Sequence, residues 1–355
     1  MLFTYHYVNH NIEQFQEYLQ HLVKEVWCKA DGDFTPELLH PKLKDIVEDI
    51  SNDESITTDP LDGPIRTIYE LFRRQLTAAQ REQVAIWYDN NNDIEALCAN
   101  DPRKTPGTYA DIRLLNADLE TALKDFCKSL FTHVIKLKAV TSRIGSIEEH
   151  YIEFAKVNEK EKCPYCGYSD IRGANYTTRD AYDHFLPKGT YPFNSVNFRN
   201  LAPMCPQCNS SYKLAKEPTK HIDPLNKANR ARRKAFYSYA EAHPGITIKV
   251  TLKTKDVANL QKDDIDLTFE APGHEEEIEA WNDVFGIDER YKAKLCAEND
   301  GTAWLQSIVE EGDNIDVSRD TLLEYELRKA QKRPYSESGF LKSAFLTACR
   351  DARVI

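Results

Sequence analysis

Two Cys-x-x-Cys pairs, Cys163/Cys166 and Cys205/Cys208, constrain this chain more than any other feature. The short step inside each pair lets two thiolates face one ion, and two such pairs make a closed tetrahedral zinc site. Between them lie residues 167–204, a run of 38, so the clip closes more chain than many zinc ribbons hold. Four sulfur ligands leave no open position, which makes the zinc structural. The other cysteines, Cys28, Cys98, Cys127, Cys296 and Cys349, are odd in number and follow no framework spacing. They read as reduced, mostly buried thiols in a cytoplasmic protein.

The enclosed run carries polar residues that a mere clip does not need. Asp183 and His184 are adjacent, followed by Pro187-Lys188-Gly189, and Asn200 precedes the second pair, which Asn209 follows directly. Hydrolysis of a phosphodiester requires a base for water and a cation for the charge on phosphate and leaving oxygen. His184, neutral near pH 7, suits the first task. Asp183 offers a hard oxygen for Mg²⁺ or Mn²⁺, and the Asn209 amide oxygen a second ligand. Neighbours on a strand point to opposite faces, so a bend at the strand end has to bring Asp183 and His184 together. Asn200 can fix the His184 loop through backbone hydrogen bonds. Lys213, one helical turn after Asn209, is placed to meet a phosphate.

Charge distribution supports a polyanionic partner. The net charge is −11, yet residues 160–240 hold 14 Lys and Arg against 6 Asp and Glu, a balance of +8 that leaves −19 for the rest. A basic island in an acidic chain is the expected footprint of one region that meets nucleic acid, although a solvated helix face has the same composition. The candidates are Lys188, Arg199, Arg230, Arg232, Arg233 and Lys234, the last four within a run, 229–236, that reads as a basic helix.

Periodicity predicts an α+β chain, mainly α, in three regions. Residues 1–158 are expected to be helical. Ile12, Phe15, Leu19, Leu22, Val23 and Val26 form one apolar stripe. Thr35-Pro36-Glu37 reads as a helix start, and Thr77 to Gln80 as a capping box. Asp89 to Asp93 reads as a loop, residues 112 to about 140 as one helix, and 147–157 as another. Trp27 and Trp87 are core candidates. Residues 159–240 hold the knuckles, with a strand over 177–185, a return segment over 196–201, and a helix from near Cys205 past Lys213. In 241–355, Ile246, Ile248, Val250 and Leu252 alternate, as do Ile265, Leu267 and Phe269, which predicts a hairpin. Helices carrying Trp281, Phe285, Tyr291, Leu295, Trp304, Leu305 and Ile308 follow. No apolar run is long enough for a bilayer, and no basic leader with an apolar core opens the chain, so neither a membrane nor a secretory route is expected.

The pattern C-x-x-C, D-H-x-x-P, N-L, C-x-x-C-N and a basic residue resembles the HNH nucleases of the ββα-metal (His-Me finger) class in their four-cysteine zinc form. The resemblance spans about 50 to 75 residues and implies a ββα motif set between the helical region and the hairpin-plus-helices region. It implies His184 as general base, Asp183 and Asn209 as ligands of one catalytic divalent metal, Asn200 as the orienting asparagine, and products with 5′-phosphate and 3′-hydroxyl ends. Two departures stand out. Asn209 takes a place where many members have histidine, and Lys213 follows it by four residues where three is frequent. His221 and Asp223 lie just downstream as further candidate ligands. D-H-F-L-P-K-x-x-Y-P, C-P-Q-C-N and the late W-N-D-V-F-G-I-D-E-R-Y are also similar to the HNH subunits of bacterial anti-phage systems, the PtuB-like nucleases of Septu and certain retrons. Those work beside an ATPase, and residues 1–158 would then be a docking surface for it.

Other chemistries fit less well. A zinc-stabilised nucleic-acid-binding module accounts for the cysteines but not for Asp183-His184. An RNA-directed, toxin-like nuclease shares the catalytic pattern, and only the substrate separates it from a DNA endonuclease. A zinc deaminase needs His-x-Glu ahead of its cysteine pair, whereas His274-Glu275-Glu276 follows both pairs. Thiol redox chemistry gives no reason for two pairs inside a basic island.

Overall fold

Helix starts in the N-terminal region follow from capping residues. Thr77, Thr108 and Ser146 each accept a hydrogen bond from the backbone three residues on, while Gln80, Asp111 and Glu149 reach back to the cap nitrogen. Each box satisfies two donors that a helix start otherwise leaves unpaired. The computed structural model describes residues 1–221, 231–314 and 317–354. Before the first strand come α1 (Gln14–His21), α2 (Pro41–Ser51), α3 (Asp62–Gln75), α4 (Ala78–Asn92), α5 (Ile94–Cys98), α6 (Tyr109–Leu115), α7 (Ala117–Thr132), α8 (Lys138–Ile144) and α9 (Ile147–Val157).

Three expectations for this region change. Thr35-Pro36-Glu37 opens only a short 3₁₀ turn, and α2 starts at Pro41 behind His40, whose ring nitrogen accepts from Lys42 N. The run 112–140 is divided among α6, α7 and α8 because Asn116, extended and capping Leu119 N, begins a new helix, and His133 ends it. Asn90, Asn91 and Asn92 are not loop but the last turn of α4. Their amides bond to chain segments elsewhere, so burial overrides their turn preference.

The two knuckles are joined by an antiparallel pair, β1 (Ala181–His184) and β2 (Leu201–Met204), with Ala181 opposite Met204 and His184 opposite Leu201. β1 is shorter than the expected 177–185 at its start. The next partner for Asp180 would be Cys205, which belongs to the sulfur cluster, and Asp180 instead pairs with Arg172. Beyond Cys205 a helical segment, Gln207–Lys213, is π-type, closing with Leu214 N to Asn209 O at 2.9 Å. It stops at Lys213 because Leu214 turns to φ 50° and ψ −121°, a positive-φ conformation that cannot continue a helix.

The C-terminal region contains β3 (Thr247–Leu252) paired antiparallel with β4 (Ile265–Glu270), the expected hairpin. Then come α10 (Glu275–Phe285), α11 (Ile287–Leu295), α12 (Ala303–Asn314), α13 (Arg319–Lys332) and α14 (Gly339–Asp351). Gly286, at φ 60° and ψ 43°, makes the left-handed joint between α10 and α11. The fold is thus mainly helical α+β. The expected basic helix over 229–236 is absent from its described part. Residues 231–236 are not helical, and His221 N and Arg233 N instead bond to Ala231 O and Thr219 O. Asn229 and Arg230 lie outside the described residues.

One contiguous apolar core runs through all three regions. Trp27 is fully buried against Phe72 and Phe126, and Trp87 is partly buried, where Gly107 packs so closely that a Cβ would meet its ring at 2.2 Å. The first residues run under the knuckles, with Leu2 N bonded to Pro164 O at 2.8 Å and Tyr5 Oη to Pro203 O at 3.0 Å.

Candidate metal centres and active site

The four knuckle sulfurs converge. Cys163, Cys166, Cys205 and Cys208 are buried, and their Sγ atoms all lie within 4.8 Å of one another. Cys166 Sγ and Cys205 Sγ are 4.0 Å apart, close to the edge of about 3.8 Å expected for a tetrahedron with Zn–S near 2.3 Å. The donor set and its geometry fit a structural zinc ion.

The C-terminal helices hold this cluster, a role with no signal in its composition. Arg290 on α11 donates Nη1 to Cys208 Sγ at 3.2 Å and to Phe285 O at 3.1 Å, and Nη2 to Gln207 Oε1 at 3.1 Å. Tyr291 Oη donates to Cys166 O at 2.9 Å, and Trp281 Nε1 to Tyr165 O at 2.6 Å. Four thiolates around one divalent ion carry excess negative charge, which a buried guanidinium offsets.

Asp183 and His184 sit at the end of β1, and they do point apart. His184 Nε2 lies 2.9 Å from the carbonyl oxygen of Ser195, and its ring meets the Phe131 ring edge-on at 4.5 Å between centroids. A carbonyl can only accept, so Nε2 carries the proton and Nδ1 keeps its lone pair. Burial, then the charges of Lys188 and Lys213, lower the imidazole pKa to about 3. The ring is therefore neutral at pH 7, as a base must be.

Asp183 faces Lys213. The Lys213 ammonium lies 2.9 Å from Asp183 Oδ2 and donates to His184 O at 2.9 Å, and both side chains are buried. Lys213 therefore does not reach outward to a phosphate in this arrangement. It neutralises Asp183, because an unpaired buried carboxylate is too costly. Even so, burial raises the Asp183 pKa more than Lys213 and Lys188 lower it. Asp183 Oδ2 receives no directed hydrogen bond. This oxygen is desolvated and paired with the Lys213 ammonium, so a hard cation held there would have to displace that ammonium. Asn209 is half-buried on the same segment as Lys213. Asn200 Oδ1 accepts from Leu186 N at 2.8 Å, and its Nδ2 donates to Leu186 O at 3.0 Å, bracing the turn after His184.

The N-terminal helices reach the same loop. Asn91 donates to Gly107 O at 2.8 Å and Pro192 O at 3.1 Å and accepts from Gly107 N at 3.0 Å. Gln16 donates to Asn92 Oδ1 and Phe193 O, both at 3.1 Å, and Asn197 donates to Asn92 Oδ1 at 3.0 Å. Loop 190–200, which carries the Ser195 carbonyl, is thereby tied to α4.

The expected basic surface is partly internal. Arg233 is buried and bonded to Asp283 at 2.6 Å, while Arg232 donates to Lys104 O and Asp101 O, so neither faces solvent as a free cation. Arg199 is exposed and lies over the Tyr7 ring, Lys234 is exposed, and Lys188 is half-buried over Phe131. Arg230 and Asp223 lie outside the described residues. His221 stands 3.7 Å from Glu279 and 3.9 Å from Asp283, but Arg233 already supplies the cation there.

A stretch of 72 residues is 39% identical to the Septu protein PtuB of Bacillus thuringiensis, covering 19% of this chain and 27% of that protein. The chain thus matches about a quarter of its curated relative. No family model matches, and no solved structure matches.

Ser195, Phe131, Asn91 and Arg290 also contact this region, and the sequence did not single them out as candidates. Only Arg290 had a local signal, the aromatic W-N-D-V-F-G-I-D-E-R-Y stretch that carries its neighbours Trp281 and Tyr291.

Proposed function

We propose that the chain is a divalent-metal-dependent HNH endonuclease acting on DNA, the effector of a bacterial anti-phage system. The observation that carries this reading is His184. It is a buried neutral imidazole whose Nε2–H is fixed by a carbonyl, one residue from a desolvated carboxylate paired with Lys213. A structural histidine needs no such neighbour. The partial identity with a Septu protein supports the defence role.

In this reading His184 Nδ1 takes a proton from the water that attacks phosphorus. The new P–O bond forms as the bond to the 3′ oxygen breaks, and that oxygen takes a proton from solvent water, giving 5′-phosphate and 3′-hydroxyl ends. Ser195 holds the imidazole tautomer, and Asn200 braces the turn behind it. A cation held by Asp183 and Asn209, when bound, would neutralise charge on the phosphate and the leaving oxygen. The zinc keeps β1 and β2 in register and takes no part in the chemistry. Residues 1–158 would present the docking face for an ATPase partner.

The test is cleavage of supercoiled plasmid and of single-stranded RNA by zinc-loaded protein with Mg²⁺ or Mn²⁺, alone and with a candidate ATPase. Metal-dependent cutting of plasmid supports the reading. Cutting of RNA alone would favour the toxin-like alternative. Silence in every arm from folded protein that still binds nucleic acid would favour a binding module.

A further inference from the structure

The side of His184 that faces away from the knuckles is closed by α7. Phe131 lies between two groups of the nuclease loop: its ring meets His184 at 4.5 Å, and Lys188 Nζ stands 4.5 Å from its centroid. Lys128 is one turn earlier on α7, on the face that carries Phe131. Lys136 follows the helix and bonds back to Thr132 O at 3.0 Å. Both lysines are exposed, and both repel Lys188, adding to the burial that lowers its pKa. Among the described residues, none of the three forms an ion pair with a carboxylate, whereas Lys162, Arg172, Arg179, Lys220 and Arg233 of the basic island all do. Three like charges gathered without an ion-pair partner, with only the buried Asp183 acting on Lys188, in a chain of net charge −11, repel one another at a cost to the free protein. That cost is offset when a polyanion binds.

We propose that α7 forms one wall of the substrate cleft, with Lys128, Lys136 and Lys188 contacting backbone phosphates of duplex DNA beside the bond that His184 attacks. This rests on the nuclease reading and adds a substrate-contact role for the helical region. The contacts are to phosphate and so select no sequence. Phe131 packs between Lys188 and the imidazole, and the Lys188 charge still helps keep the ring neutral.

The test uses zinc-loaded, full-length His184→Ala protein, which cannot cut, and a fluorescent 30-base-pair duplex titrated across NaCl concentrations. Each phosphate contact contributes about 0.9 to the slope of log affinity against log salt. Lys128→Ala/Lys136→Ala should therefore flatten that slope by about 1.8, while Lys329→Ala/Lys332→Ala, on a distant helix, should leave it unchanged. An unchanged slope in the α7 variant overturns the inference, and plasmid cutting by the wild type would still uphold the nuclease reading. Absence of duplex binding by both proteins overturns the inference and the DNA form of that reading together. If only an RNA hairpin binds, and its slope flattens in the α7 variant, the wall stands as a phosphate contact but the duplex assignment fails.

Discussion

Arg290 offers a severe test of how the C-terminal helices serve the zinc site. It is 4% exposed, with its guanidinium 4.5 Å from the Tyr212 ring and 5.3 Å from the Tyr168 ring. Its nitrogens reach Cys208 Sγ, Phe285 O, Gln207 Oε1 and Tyr168 Oη at 3.0 to 3.2 Å. Arg290→Met keeps much of the apolar stem but removes the charge and every donor. Loss of an outer-shell partner lowers metal affinity about 10- to 100-fold, or roughly 1.4 to 2.7 kcal/mol. Removing one partner of a buried charged pair destabilises the fold by about 3 to 5 kcal/mol. The two figures overlap, since zinc binding and folding of the knuckles are coupled. Competition with a chromophoric chelator measures the first, and urea denaturation of the holoprotein the second. Arg290→Lys, which keeps charge but not the planar fork, should fall between. Wild-type zinc affinity and wild-type stability in Arg290→Met would refute the claim that this side chain supports the thiolates.

Further outcomes follow from the same contacts. Cys163→Ser should lose its zinc, measured by atomic absorption, and with it the ordered knuckle region; a folded, active, zinc-free protein would remove the structural-zinc assignment. Asn91→Ala leaves Gly107 N–H and two carbonyls unpaired, so stability should fall by about 3 kcal/mol in urea denaturation. Loop 190–200 should loosen as well, lowering turnover more than zinc content, and an unaltered denaturation midpoint would contradict this. His150 is buried and its pKa is lowered to about 4, by burial first and then by His10. Between pH 6.5 and 4 the unfolded chain takes up a proton that the folded one refuses, so stability falls as pH falls through that window. From pH 7 to 5 the loss at this residue is about 2 kcal/mol, and His150→Phe should reduce the pH dependence by that amount.

The sequence made the knuckles and the β3–β4 hairpin legible because short fixed spacings and two-residue alternation are local signals, whereas the return segment read at 196–201 pairs as a strand only over Leu201–Met204. It exposed Asp183, His184 and Asn200 for the same reason: they lie in one contiguous run. Lys213 was misplaced because its role depends on three-dimensional closure. An α-helical turn would have set it beside Asn209, but the segment winds as a π-type turn and Lys213 goes inside to Asp183. The run 229–236 looked basic and helical, yet Arg233 is fixed by Asp283, fifty residues on, and Arg232 by carbonyls near residue 100. Asn91 and Phe131 act on the knuckle region from outside its borders, which no local pattern reports, and Arg290 does so from a stretch, W-N-D-V-F-G-I-D-E-R-Y, that does stand out. Burial of polar side chains identified Asn91 and Arg290, and ring contacts identified Phe131.

The central claim is that His184 is the base of a metal-dependent nuclease, and single-turnover cleavage of a labelled duplex tests it most directly. Wild-type protein and His184→Ala, matched for zinc content and thermal stability, are compared with Mg²⁺ or Mn²⁺ under conditions where the wild type cuts. The prediction is a loss of rate by about 10²- to 10⁴-fold, with duplex affinity retained and wild-type products ending in 5′-phosphate and 3′-hydroxyl. Equal rates for the two proteins would contradict the assignment and leave His184 a buried structural residue.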